Sequence, residues 1–167
     1  MTSQNRIYLD TSVFIFALDG IGLGHDKANK LLEDIAGGLA RGVTSNFVKY
    51  EYRGHLKDSR ATFGGTNASK AELDNLIQKL DELIDDYGIE EVSADYLLGD
   101  SWISDCEGIV DNSMPTSVRG GEWETIRGAD GIHALIAVRA NAQQLATLDN
   151  AFKGLKCVVQ PLVLWDV

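Results

Sequence analysis

The amino-acid sequence predicts one α/β domain, in which a mostly parallel central sheet lies between two layers of helices. Short apolar runs alternate with amphipathic helical stretches along the whole chain, which is the pattern of a parallel sheet with crossover helices. The 167 residues are enough to bury one sizeable core, and no repeat or linker divides them. We therefore expect residues 1–167 to form a single domain.

The first half of the chain opens with a short apolar run, Ile7 to Leu9, that ends at Asp10. A short buried helix follows and is broken at Gly20. Apolar residues at helical spacing predict a second helix. The predicted elements here are strands at 7–9 and 43–45 and helices at 12–18, 25–41 and 47–56, followed by loop sequence at 63–67.

The second half contains the clearest helix, which starts at a capping box formed by Ser69 and Glu72 and stops at Gly88. Residues 111–128 contain proline and glycines without a clean period, which predicts a long loop. The remaining predicted elements are strands at 90–92, 145–148, 155–159 and 163–165 and helices at 94–104, 130–138 and just after Asp149.

The charge and hydrophobicity of the chain exclude some classes of function. The formal net charge of −10 argues against purely electrostatic nucleic-acid binding, but it is compatible with an enzyme that reaches phosphate through a bound cation. No apolar run approaches the ~18 residues of a membrane span, and the first six residues lack a signal-peptide pattern. We therefore expect a cytoplasmic protein without a membrane partner, with Cys106 and Cys157 as packing residues.

Four carboxylates are placed where chemistry is expected. Ligands of open parallel sheets bind beyond the carboxyl ends of the strands. Asp10 follows the first strand, Asp149 follows strand 145–148, Asp130 opens a helix, and Glu51 lies about two turns into its helix. Each could instead be a helix cap, a turn residue or an exposed helix residue. Together they would repel unless a hard cation such as Mg²⁺ or Mn²⁺ lay between them.

These acids lie within segments that resemble the ordered motifs of PIN domains. The segments are Tyr8–Ser12, Thr44–Ser45 leading to Glu51, Ala129–Ala134 and Ala146–Phe152. The resemblance spans residues 6 to about 161, and the last two motifs are the most specific. It implies a PIN-like three-layer α/β/α fold. PIN domains are similar to metal-dependent ribonucleases, and many bacterial and archaeal members are VapC-like toxins with an antitoxin partner.

The resemblance also implies roles for individual residues. Asp10 and Asp130 would bind Mg²⁺ or Mn²⁺ directly, while Glu51 and Asp149 would bind a second ion, hold ligand waters or orient the attacking water. Hydroxyl groups would fix the carboxylates. Apart from the resemblance, two arginines in the long loop leading to Asp130 are candidates for contact with phosphate. The hydroxyl residues are Thr11, Ser12 and Thr147, and the arginines are Arg119 and Arg127. The implied partners are an RNA substrate and an antitoxin protein, with a second copy of the chain as a further candidate.

Several alternatives stay open at this stage. A non-enzymatic PIN-like interaction module would use the same fold without cleavage. A receiver-like Mg²⁺-binding domain is disfavoured because Asp10 has no acidic neighbour at the first strand. His133 is interpreted as a packed histidine. The basic stripe of Lys49, Arg53 and Lys57 is interpreted as solvated surface or a partner contact.

Overall fold

The computed structural model describes residues 4–20, 22–62, 69–117 and 122–167. The strands are β1 (Arg6–Leu9), β2 (Arg41–Ser45), β3 (Glu90–Val92), β4 (Thr116–Ser117), β5 (Trp123–Glu124), β6 (Gln144–Thr147) and β7 (Gln160–Val163). The helices are α1 (Thr11–Asp19), α2 (Leu23–Ala36), α3 (Asn46–Thr62), α4 (Lys70–Asp86), α5 (Ala94–Leu98), α6 (Trp102–Asn112) and α7 (Gly128–Arg139). The loop predicted at 63–67 lies outside the described residues.

Five strands form one fully parallel sheet in the order β3-β2-β1-β6-β7. Successive side chains of a strand point to opposite faces, so the central strand contributes to two cores. Ile7 and Leu9 pack in the core under α1 to α4, whereas Tyr8 packs in the core under α5 to α7. The three-layer α/β/α architecture is confirmed.

The second helix ends five residues earlier than the sequence predicted. It stops at Ala36, and Gly38 adopts a φ of 77°, which glycine reaches without a steric penalty. Leu39, whose spacing seemed to extend the apolar stripe, is 73 % exposed. The prediction of a helix through Arg41 was therefore wrong, because the glycine pair outweighs the apolar period.

The predicted helix at 94–104 is in fact two helices. Gly99 ends α5 with a φ of 58°, and α6 starts at Trp102 and runs to Asn112. Gly99 thus turns the chain between two helices that the sequence pattern had joined.

Residues 111–128 do not form one long loop, because α6 extends to Asn112 and the short strands β4 and β5 lie within the stretch. Within the described residues, β4 and β5 pair antiparallel. The N–H of Met114 donates to Gly154 O at 2.8 Å, and Thr116 Oγ1 donates to Asn150 O at 3.2 Å. A Cβ at Gly154 would lie 1.8 Å from Met114 O. The base of this hairpin is therefore fastened to the 3-10 helix that follows β6.

The chain end also differs from the prediction. The 3-10 helix Asn150–Gly154 confirms the helical turn after Asp149. The last sheet strand is β7, however, and a second 3-10 helix, Leu164–Asp166, follows it. The strands predicted at 155–159 and 163–165 are therefore replaced by one strand between them.

Helix α4 begins with the predicted capping box of Ser69 and Glu72. Its acidic face is partly ion-paired with α3, because Lys49 Nζ lies 2.6 Å from Asp81 Oδ1 and Arg53 Nη1 lies 2.8 Å from Asp74 Oδ1. Two members of the basic stripe therefore bind acids of this chain instead of facing open solvent.

Both cysteines fit the prediction of packing residues, since Cys106 is buried, Cys157 is half-buried and both thiols are free. Among the described residues, none of the helices combines the length and apolar character needed to cross a membrane.

Candidate metal centre

The four predicted carboxylates all lie on elements that meet the carboxyl edge of the sheet. Asp10 directly follows β1 and is 4 % exposed. Asp149 comes two residues after β6, which pairs with β1, so these two acids leave neighbouring strands. Asp130 lies in the first turn of α7 and Glu51 in the second turn of α3.

Asp10 is held by the start of α1. Its Oδ1 accepts hydrogen bonds from Ser12 N at 3.0 Å, from Ser12 Oγ at 2.6 Å and from Val13 N at 3.4 Å. Burial raises the pKa of Asp10, against the lowering effect of the His133 charge and of hydrogen bonds from Ser12, Thr147 and Val13. Asp10 is thus a buried carboxylate whose negative charge is poorly compensated.

Ser12 joins the ends of the two neighbouring strands. Its hydroxyl donates to Asp10 and accepts from Leu148 N at 2.8 Å. The Thr147 hydroxyl lies 3.3 Å from the Ser12 hydroxyl and accepts from Asp149 N at 2.9 Å. Two hydroxyl side chains, those of Ser12 and Thr147, therefore connect the carboxylate of Asp10 with the backbone of Asp149.

The charges of two other acids affect the pKa of Asp130. Its pKa is raised to about 6, mainly by burial. The N–H of Arg127, at 2.7 Å, and His133 lower the pKa, and the charges of Asp149 and Asp10 raise it. Asp10 and Asp149 therefore lie close enough to Asp130 for their charges to disfavour its ionised form. A divalent cation or bound protons would relieve that repulsion.

The alternative capping roles of these acids are also realised. Asp10 caps α1, Asp149 Oδ1 accepts from Ala151 N at 2.8 Å, and Asp130 accepts from the residue that caps α7. Each cap uses one carboxylate oxygen, and an ionised carboxylate has two oxygens with about four lone-pair positions. Capping and metal binding therefore do not exclude each other.

Glu51 is bound by His133 and Thr11. Its Oε2 accepts short hydrogen bonds from His133 Nε2 and from Thr11 Oγ1. Burial raises the pKa of Glu51, but the hydrogen bonds and charge of His133 and the bond from Thr11 outweigh it, so the net pKa is lowered. Glu51 is therefore an ionised carboxylate whose orientation is set from α7 and α1.

The interpretation of His133 as only a packed histidine was incomplete. It is 3 % exposed, and its Nδ1 lies 2.9 Å from Tyr8 Oη, which in turn lies 2.9 Å from Ser45 Oγ. Complete burial raises the pKa of Tyr8 well above its usual value, so Tyr8 stays a phenol that can donate to Nδ1. Because the Glu51 carboxylate can only accept, Nε2 carries the proton. His133 is buried, but it also positions Glu51.

The donor set suits a hard divalent cation, because every candidate ligand is a carboxylate oxygen, and burial disfavours the ionised forms of Asp10 and Asp130 unless a cation balances them. Within residues 4–20, 22–62, 69–117 and 122–167, no three acidic, histidine or cysteine side chains already stand at metal-ligand spacing. Of the two arginines predicted to contact phosphate, Arg127 is exposed at the start of α7, and Arg119 lies outside the described residues.

Comparison with known proteins identifies the family. The model of the PIN domain matches residues 7–156. The chain belongs to the PIN-domain family. PIN domains are in general nucleases that use divalent metal ions.

The fold of this PIN domain is also found in a solved structure. A chain of the crystal structure of VapBC2 from Rickettsia felis bound to a DNA fragment from their promoter aligns with a TM-score of 0.57 and 19 % sequence identity. The alignment covers 94 % of this chain and 97 % of that chain, so the likeness in fold extends over the whole domain. No curated protein matches the chain significantly.

Proposed function

We propose that this PIN domain is a Mg²⁺- or Mn²⁺-dependent endoribonuclease that hydrolyses RNA phosphodiester bonds. The observation that carries the proposal is the position of Asp10, Asp130 and Asp149 on elements that meet the carboxyl edge of the sheet, where the charges of Asp149 and Asp10 help to raise the pKa of Asp130. Such a cluster is costly unless it binds a cation, and perturbed carboxylates in a cleft mark a candidate active site.

Each carboxylate has a distinct part in the proposed reaction. Asp10 and Asp130 are the primary ligands, and Asp149 and Glu51 bind a second ion or its waters. The metal supplies charge neutralisation at the scissile phosphate and a more acidic bound water. Ser12 and Thr147 keep Asp10 oriented, and His133 does the same for Glu51. Glu51, with its lowered pKa, stays ionised at neutral pH and can accept a hydrogen bond from the attacking water.

The test is RNA cleavage in Mn²⁺ by wild type, Asp10→Asn and Asp130→Asn, with circular dichroism as the check on folding. We expect each variant to lose at least about 100-fold in rate while remaining folded, since even groups that only orient metal ligands contribute about 10- to 100-fold. Asp85→Asn, on the exposed face of α4, is the matched control and should cleave like the wild type.

Three outcomes separate the possibilities. Wild-type rates in a folded Asp10→Asn or Asp130→Asn protein would overturn the ligand assignment. A wild type that cleaves no RNA in Mn²⁺ would favour the non-enzymatic interaction module. Parallel reactions with single-stranded DNA of the same sequence would decide whether RNA is the preferred substrate.

We further propose that the protein acts in the cytoplasm as a VapC-like toxin with an antitoxin partner. The similarity in fold to a chain of the VapBC2 complex supports this proposal. The test is to identify whether a neighbouring gene encodes a small protein, to co-express that protein with this chain, and to follow the pair by size-exclusion chromatography and RNA cleavage. We expect a stable complex with suppressed cleavage, and the same columns would report whether the free protein is a homodimer.

A further inference from the structure

Trp165, near the end of the chain, contacts the segment that carries Asp149. It is half-buried in the 3-10 helix Leu164–Asp166, and its Nε1 donates a hydrogen bond of 2.6 Å to Leu148 O. Leu148 directly precedes Asp149. An indole has one donor and no acceptor, so the whole hydrogen-bonding capacity of this side chain is used on the backbone beside a candidate metal ligand.

The peptide group that joins Leu148 to Asp149 is held at both of its polar atoms. Its carbonyl oxygen accepts from Trp165, and its N–H donates to Thr147 Oγ1 at 2.9 Å. Because a peptide group is planar, a bond at each end fixes the orientation of the whole plane. Trp165 and Thr147 together therefore set the direction in which the backbone enters Asp149.

The ring of Trp165 has a defined place between α1 and α2. It meets Phe16 edge-on, with the ring centroids 5.7 Å apart and the planes at 88°. A Cβ at Gly24 would lie 2.8 Å from Trp165 Cη2 and 2.5 Å from Phe16 Cδ1. Any side chain at position 24 would therefore displace at least one of the two rings. Glycine at the start of α2 leaves the indole the room it needs to reach Leu148.

Phe16 and Leu148 also line the candidate site. With Ser12 and Asp149 they contribute to the wall of an open cavity of about 460 Å³. Trp165 contacts both of them, since its ring packs on Phe16 and its N–H binds Leu148. The indole thus supports a cavity wall that includes a candidate metal ligand.

We propose that Trp165 is a positioning residue for the metal centre, which keeps Asp149 oriented for metal binding through the Leu148 carbonyl. The inference rests on the proposed function and adds a residue outside the carboxylate ligands. Groups that orient metal ligands raise metal affinity, because the ligand is already in place before the metal arrives. The last turn of the chain is then part of the metal centre as well as a cover for the core.

The experiment measures Mn²⁺ affinity by isothermal titration, below the melting temperature of every protein compared. Trp165→Phe keeps an aromatic ring but removes the N–H that binds Leu148. The matched control is Trp102→Phe. Trp102 is also half-buried, and it begins α6 beside the last residue of α7, at the opposite end of that helix from Asp130.

A second variant disturbs the same contact without removing a hydrogen-bonding group. Gly24→Ala places a methyl group against the rings of Trp165 and Phe16, far along the chain from every candidate ligand except Asp10. It keeps the indole N–H but shifts the ring that carries it. Circular dichroism and the Tm of the metal-free protein confirm that each variant folds.

We expect Trp165→Phe to raise the Kd for Mn²⁺ by about 10-fold, at the lower end of the roughly 10- to 100-fold range for groups that orient metal ligands. Gly24→Ala should raise the Kd less, and Trp102→Phe should bind like the wild type. In the Asp149→Asn background, Trp165→Phe should have little further effect, because both changes remove the same contribution. A purely structural tryptophan would lower the Tm and leave the Kd unchanged.

A wild-type Kd in every folded variant at positions 165 and 24 would overturn the inference and leave the proposed function standing. An equal loss of affinity from Trp165→Phe with and without the Asp149 carboxylate would also overturn it, because the indole would then act on another part of the centre. A wild type that binds no Mn²⁺ would overturn the proposed metal centre and this inference with it, so the two failures are distinguishable.

Discussion

The two edges of the central sheet differ in how their carboxylates are paired with positive charge. At the amino edge, Glu90 lies between two arginines, with Arg6 Nη1 at 2.8 Å and Arg41 Nη2 at 2.9 Å. The hydrogen bonds from Arg6 lower the pKa of Glu90; slight burial opposes them, and the charges of both arginines add to the lowering. Every charge in this group has a partner of opposite sign.

At the carboxyl edge, His133 is the basic side chain that binds Glu51. Burial raises the pKa of both Asp10 and Asp130, and the charges of Asp149 and Asp10 also raise that of Asp130. The same sheet thus holds a paired carboxylate at one edge and carboxylates with raised pKa values at the other. This difference supports the proposal that the carboxyl edge binds an external cation.

Outside the proposed metal ligands, the largest effect should come from the histidine that positions Glu51. We expect His133→Ala to lower RNA cleavage in Mn²⁺ by about 10- to 100-fold, because it removes a hydrogen bond that orients a proposed ligand. Thr11→Val removes the other donor to Glu51 and should lower cleavage less. His133→Gln, whose amide can still donate to Glu51, should recover part of the loss. Wild-type cleavage by a folded His133→Ala protein would show that His133 is a packing residue after all.

We expect Mn²⁺ to raise the melting temperature of the protein by binding at the carboxyl edge. A ligand that binds only the folded state at about 100 times its Kd contributes about 2.7 kcal/mol. For a domain of this size that is a rise in Tm of about 5 to 10 °C in Mn²⁺. Asp149→Asn should shrink this rise, and Asp85→Asn should not. An undiminished rise in the Asp149→Asn protein would remove Asp149 from the metal centre.

The pH dependence of stability should also differ between the edges. The folded pKa of Asp130, about 6, is raised above its usual value, so the native state binds this proton more tightly than the unfolded chain does. The stability of the metal-free protein should therefore increase as the pH falls from 7 to 5, and Asp130→Asn should flatten this increase. Glu90, whose pKa is lowered, would lose its contribution only at more acidic pH.

The same proton competes with the metal. Below pH 6 the apparent Kd for Mn²⁺ should rise by about tenfold per pH unit for one displaced proton. Isothermal titration at pH 7 and pH 5 measures this change. A Kd that does not vary over this range would mean that Asp130 is not a ligand.

The smallest effect should come from the amino edge. Glu90→Gln removes the partner of Arg6 and Arg41, and partly exposed pairs of this kind contribute up to about 1 kcal/mol. We expect a fall in Tm of about 2 to 4 °C with unchanged RNA cleavage. A loss of cleavage in this variant would contradict the separation of the two edges.

The sequence was most informative where local chemistry and position agree. Asp10 comes directly after an apolar strand, and Ser69 and Glu72 form a local capping box, so both features could be predicted from neighbouring residues. The parallel sheet followed from the alternation of strands and helices. Asp149 after a strand and Asp130 at a helix start also followed from position. The family motifs set these two acids apart from ordinary caps, which periodicity alone does not.

The wrong predictions have physical causes that do not appear in the spacing of residues along the chain. Gly38 and Gly99 adopt positive φ and end helices whose apolar spacing would otherwise continue. His133 seemed to be a packed side chain because its partners are remote: Tyr8 is 125 residues away and Glu51 is 82 residues away. The ion pairs of Lys49 with α4 and β3 likewise depend on how helices pack, which residue spacing on one helix does not specify.

The contact between Gly154 and Met114 bears on how this domain could vary among relatives. A side chain at residue 154 has no room, since its Cβ would lie 1.8 Å from the Met114 carbonyl oxygen. Insertions and deletions beyond Thr116 leave that anchor intact, so the hairpin can lengthen or shorten without disturbing the turn that carries Asp149. In descent from a common ancestor, glycine at this position would be retained while the hairpin beside it diverges.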